Sequence, residues 1–96
     1  MTLQEFRNLL LTADPTASHY ESVKNTNYTV WKEFERRKTP EEEWRIQVDR
    51  FTKIEYDPIV ELIDTALSTD DISFDYKVDY EENTGYIHHI WDCTVA

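Results

Sequence analysis

One glycine serves 96 residues, and its position constrains the fold of the C-terminal third of the chain. Gly85 follows Glu81-Glu82-Asn83-Thr84 and separates two alternating runs. In the first, Phe74, Tyr76, Val78 and Tyr80 are spaced by Asp75, Lys77 and Asp79; the second extends from Tyr86 to Val95. Period-two alternation marks a half-buried strand, because successive side chains point to opposite faces. Glycine reaches positive φ without a Cβ clash, as a tight turn between antiparallel strands requires. The segment therefore reads as a β-hairpin. A single glycine also excludes the glycine-rich cradles that hold dinucleotides and nucleoside triphosphates.

The rest of the chain supplies partners for that hairpin. Thr2-Leu3-Gln4-Glu5 has the form of a capping box, and Leu3, Phe6, Leu9 and Leu10 recur at helical spacing. Asp14-Pro15 ends this first helix, since a residue before proline avoids the α region. A short strand is expected around Tyr20 to Val23. Tyr28 to Phe34 alternates as a strand, with Tyr28, Val30 and Phe34 on one side. A charged connection, Arg36 to Glu43, leads to a further strand with Trp44, Ile46 and Val48 facing one way. Phe51 falls on the opposite parity, which implies a bulge or an apolar contact on the second face. Asp57-Pro58 opens a second helix with Asp as N-cap and Pro at the first position. Ile59, Leu62, Ile63, Ala66 and Leu67 form its apolar stripe. The expected fold is α+β in the order α-β-β-β-α-β-β, an antiparallel sheet with two helices packed on one face. Trp31 and Trp91 are expected to share a sheet that carries aromatics on both faces.

Residues 1–96 read as a single domain, able to bury roughly two-thirds of its unfolded surface. An apolar content of 40%, with 14% aromatic residues, argues against disorder. No apolar run is long enough to span a membrane, and the N-terminal residues lack the basic-then-apolar pattern of a secretory signal. A lone Cys93 forms no internal disulfide, in keeping with a reducing cytoplasm.

Charge divides the chain more sharply than any motif does. Residues 1–53 hold nine acidic and nine basic side chains, whereas residues 54–96 hold eleven acidic side chains and only Lys77. The whole net charge of −10 therefore belongs to the C-terminal part. Arg36, Arg37, Lys38, Arg45 and Arg50 are candidates for a subunit or partner interface. Asp70, Asp71, Asp79, Glu81 and Glu82 are candidates for an acidic interface or lumen. One surface of each sign suits head-to-tail contact between copies, the type of contact that closes into rings. Binding of nucleic acid over the whole surface is disfavoured, because it relies on Lys and Arg releasing phosphate counterions.

Catalytic constellations are weak by comparison. His88 and His89 are adjacent on a strand and point to opposite faces, so they cannot chelate one ion together. No short-spaced set of three or four zinc ligands occurs, and the acidic clusters lack the geometry of a calcium loop. Cys93 reads as a small buried residue without an activating neighbour. Neither a cofactor, a metal nor an enzymatic activity is expected.

The run Trp44-Arg45-Ile46-Gln47-Val48-Asp49-Arg50-Phe51-Thr52 is followed by the second helix. Then comes Asp79-Tyr80-Glu81-Glu82-Asn83-Thr84-Gly85-Tyr86-Ile87-His88-His89-Ile90-Trp91-Asp92. Together these resemble the tail-terminator proteins of long-tailed bacteriophages, also called tail-completion or head–tail joining proteins. The likeness extends over residues 28–96 and more loosely over the first helix. It implies a structural virion protein at the head-proximal end of the tail, assembled in the bacterial cytoplasm. Such proteins form a six-membered ring that stops polymerisation of the tail tube. Its partners would be further copies of itself, the tail tube protein and the head connector or stopper, with DNA passing through but not bound specifically. The connection from Phe34 to Trp44 is shorter than in many such proteins, where it reaches toward a neighbour. A small acidic DNA mimic that inhibits a nucleic-acid-binding host protein is the alternative. On the ring reading, reversing Arg45 or Arg50 to Glu should weaken assembly more than folding.

Overall fold

A computed structural model describes residues 1–22, 26–38 and 40–96. Helix α1 (Leu3–Ala13) starts at Thr2, whose hydroxyl accepts from the Glu5 amide while the Glu5 carboxylate accepts from the Thr2 amide. Asp14 closes it, and its carboxylate then accepts from the Thr16 amide and hydroxyl, turning the chain toward the sheet. Five strands follow: β1 (Ser18–His19), β2 (Tyr28–Arg37), β3 (Glu43–Thr52), β4 (Ile72–Glu81) and β5 (Tyr86–Val95). Helix α2 (Pro58–Leu67) lies between β3 and β4, with Asp57 as its N-cap.

The strands form one sheet in the order β1-β2-β3-β5-β4. All pairings are antiparallel except β1 with β2, which is parallel. The sheet is therefore mixed rather than wholly antiparallel. The first strand also lies earlier than the sequence pattern suggests. Because the Asp14 turn delivers the chain straight to the sheet edge, pairing begins at Ser18. It stops at Tyr20, whose φ of 69° breaks the extended run. Val23, at the end of the expected strand, lies outside the described residues.

Both helices pack on one face. Phe6, Leu10 and Ala13 of α1 and Ile63 and Leu67 of α2 meet Trp31, Ile46, Val48, Trp91, Cys93 and Val95 from the sheet. Trp31 and Trp91 thus share the covered face, and Trp91 also donates to Asp64 of α2 across 3.2 Å. Phe51 sits opposite in an unbroken register, so no bulge surrounds it; it stacks on Tyr28 and His88 on the open face. The irregularity lies in β2, between Glu33 and Glu35. Gly85 has φ 78° and donates its amide to the Glu81 carbonyl, closing the β4–β5 turn.

Candidate functional site

The sheet presents an open face and two edges, and charge distinguishes the edges. β4 forms one edge along its full length; among the described residues no strand pairs with its outer side. The segment from Asp70 to Glu82 carries six acidic residues and Lys77, a net of −5. Asp70, Asp71, Asp75, Asp79 and Glu82 are exposed and Glu81 is half-buried. At the other edge, β1 covers β2 only opposite Val30 and Trp31. From Lys32 to Lys38 the outer side of β2 has no strand partner among the described residues, and the segment is net +2. Arg36, Arg37 and Lys38 are exposed there; Arg36 approaches Glu42 and Arg37 approaches Glu43 at about the 4 Å limit of an ion pair. The basic and acidic sequence segments accordingly become opposite edges of one sheet.

Arg45 and Arg50 do not behave alike. Arg45 lies on the open face, donates to Asp92 across 3.0 Å and sits over the Phe34 ring. Its bond to Asp92 raises its pKa further above the ordinary arginine value. Arg50 points into the helix-covered side, and its side chain is only 7% exposed. Its Nε and Nη2 donate to Asp57 Oδ2 at 3.0 and 2.9 Å, its Nη1 donates to the Thr29 hydroxyl, and Asp14 Oδ2 lies 3.5 Å away. Burial pushes the Asp57 carboxyl up, but bonds from Thr52, the Ile59 amide and Arg50 outweigh it and hold the group below its ordinary value. Arg50 therefore joins the C-cap of α1 to the N-cap of α2 inside one subunit, and it is not an outward-facing contact. Charge reversal at Arg50 would strike the fold before any assembly. The parity signal was in the sequence, since Arg50 continues the Trp44, Ile46, Val48 series that faces the core.

The paired histidines separate as the strand geometry requires. His88 lies on the open face, with Nε2 2.7 Å from Asp49 Oδ1 and Nδ1 3.7 Å from Glu81 Oε2. Gln47 donates to both oxygens of the buried Asp49, and Tyr86 packs edge-on against Phe51. This cluster ties β3, β4 and β5 together at the hairpin end of the sheet. Beside it, Thr26, Asn27, Tyr28, Lys53, Glu81, Thr84 and Tyr86 line an open groove of ≈ 750 Å³. His89 lies on the covered face, buried, with Nδ1 2.6 Å from the Tyr76 hydroxyl. Burial, reinforced by Arg50 and His88 and opposed by Asp57, lowers its pKa below the ordinary histidine value. Cys93 is buried on the same face, and desolvation pushes its thiol up to about 12, far from a reactive thiolate. Among the described residues no group of three His, Cys, Asp or Glu side chains is placed to hold a metal ion.

An apolar strip completes the acidic edge. Tyr76, Val78 and Tyr80 lie on the helix side of β4, yet they are incompletely covered, at 43%, 53% and 59% exposed. The alternation that marks them as a strand face cannot show how incompletely the helix layer covers them. Comparison with protein-family models and with curated protein sequences finds no match to this chain.

Proposed function

We propose that this protein is the subunit of a head-to-tail ring at the head-proximal end of a long-tailed bacteriophage tail. There it stops polymerisation of the tail tube and offers the surface that joins the tail to the head connector. The observation that carries this reading is the opposite charge of the two sheet edges. A contact between unlike patches is heterologous, and such contacts close into rings when the rotation between neighbours permits. Complementary edges also favour encounter between copies and fix their orientation. The exposed Tyr76, Val78 and Tyr80 strip adds apolar surface of the type that partners cover. The resemblance of residues 28–96 to tail terminators supplies the place of the ring in the virion. Acidic side chains along a lumen would let DNA pass without adhering, because carboxylates repel phosphates and displace none of the counterions condensed on them.

The DNA-mimic alternative needs an uninterrupted row of carboxylates. On the open side of β4 the row runs Asp75, Lys77, Asp79, Glu81, so a cation breaks it. The basic Lys32–Lys38 edge would also repel the cationic surface that a mimic must occupy. The deciding experiment adds the purified protein to polymerising tail tube protein. A ring that caps tubes and limits their length supports the proposal. A monomer that leaves tube growth unchanged and competes with DNA for a DNA-binding protein would overturn it.

A further inference from the structure

Sheet register carries the ring reading, on which this inference rests, down to individual residues. β2 is antiparallel to β3, β3 to β5, and β5 to β4, so β2 and β4 run in opposite directions. Rotation about an axis parallel to the strands keeps each strand's direction and each residue's height. The β4 edge of one copy would then meet the β2 edge of the next in the antiparallel sense. Height can be read across the sheet. Lys32 is level with Gln47, Gln47 with Asp92, and Asp92 with Asp75, all on the open face. At the end of the sheet Arg37 is level with Glu43, and the Ala96 amide bonds to the Asp71 carbonyl.

We infer that neighbouring copies join by antiparallel pairing of Asp71–Asp75 of one with Lys32–Arg37 of the next, placing Lys32 opposite Asp75 and Arg37 beside Asp71. All four residues are exposed. Neither Lys32, Asp71 nor Asp75 has an ion-pair partner among the described residues, and Arg37 has only its 4.0 Å approach to Glu43. The pairing satisfies backbone groups that both edges otherwise leave to water. Its length is set by the chain itself, because β1 covers β2 up to Trp31 and the strand ends at Arg37. The irregularity between Glu33 and Glu35 restricts it further, so so short an edge depends on the matched charges for its register.

The test uses two full-length variants, Lys32→Cys and Asp75→Cys, mixed and oxidised at assembly concentrations. Directly opposed residues in an antiparallel pair bring their Cβ atoms within about 4.5–5.5 Å, near the span of a disulfide. Native Cys93 is buried and does not compete. A covalent dimer confined to the mixture is expected, with neither variant cross-linking alone. Asp75→Lys is expected to lower association about tenfold or more, and Lys32→Asp placed in the same chain to restore it. Cross-linking of either single variant with itself would overturn the head-to-tail pairing. A ring that gives no mixed disulfide and ignores the charge swap would overturn this register while leaving the ring subunit intact. A protein that neither cross-links, associates nor caps tubes would overturn both.

Discussion

Arg50→Met tests the most consequential buried contact in the fold. Methionine keeps an unbranched stem of similar length and removes the charge and all the guanidinium donors. In the native protein those donors make two bonds to Asp57 and one to Thr29, with Asp14 at 3.5 Å. The Arg50 and Asp57 side chains are 7% and 2% exposed, so water cannot replace the lost cation. Removing one partner of such a pair leaves a buried carboxylate uncompensated, at a cost of about 3–5 kcal/mol. A domain of this length has roughly 5–15 kcal/mol of stability in all. The midpoint of thermal unfolding should fall by roughly 12–40 °C. The double variant Arg50→Met/Asp57→Asn keeps an N-cap for α2 and removes the carboxylate that accepted two of the guanidinium bonds, leaving only Asp14 without its cation. Its loss should fall short of the sum of the single losses by about 1–3 kcal/mol. Urea titration of the two single variants, the double variant and Arg45→Ala gives the comparison. Arg45 pairs with Asp92 where both side chains are more than a third exposed and water screens the pair, so its change should cost far less than that of Arg50. An Arg50→Met loss as small as that of Arg45→Ala would refute the buried-network argument.

Stability should also depend on pH through His89. Its folded pKa lies below the ordinary 6.5, so the unfolded chain takes up a proton first as pH falls. The contribution is complete above about pH 7 and is lost as pH drops through 6.5 to the folded pKa, with a slope of at most about 1.4 kcal/mol per unit. His89→Gln should flatten the urea midpoint between pH 7 and 5, and parallel profiles would refute this. Asp57 acts in a separate, more acidic window, because its depressed pKa removes stability only as pH falls below the ordinary carboxylate value. Gly85→Ala should cost about 1 kcal/mol in a denaturant titration: φ is 78°, yet no atom lies within 4 Å of the added Cβ, so backbone strain alone acts. Cys93 should resist thiol reagents in the native state and react at once when unfolded, as a timed alkylation at pH 8 would show.

Local rules made much of this fold legible. Asp57-Pro58 names a helix start by cap chemistry alone, and the hairpin around Gly85 follows from alternation plus one residue suited to positive φ. Ser18–His19 was harder to read, because a two-residue strand has too few positions to show a period and is placed by the Asp14 turn and by Trp31. His19 stacks on Trp31, and both His19 and Tyr20 bond to Glu33, contacts between distant parts of the chain. Arg50 was legible in part. Its parity placed it with the core residues, while its charge suggested the surface; only the folded arrangement shows two helix-capping aspartates meeting it. The charge edges were half visible. The division of acid and base along the chain is a property of sequence, but its conversion into opposite edges depends on strand order, and β5 inserts between β3 and β4.

Head-to-tail closure of copies of this chain through their oppositely charged edges is what the proposed function requires. Its most direct measurement is the molar mass by light scattering of the protein alone and with tail tubes, at low and high salt. A discrete ring is expected, six times the 11.5 kDa subunit, formed in solution or on tube ends and weakened as salt screens the Lys32–Lys38 and Asp70–Glu82 edges. A subunit that stays at 11.5 kDa under every condition and never binds a tube end would contradict it.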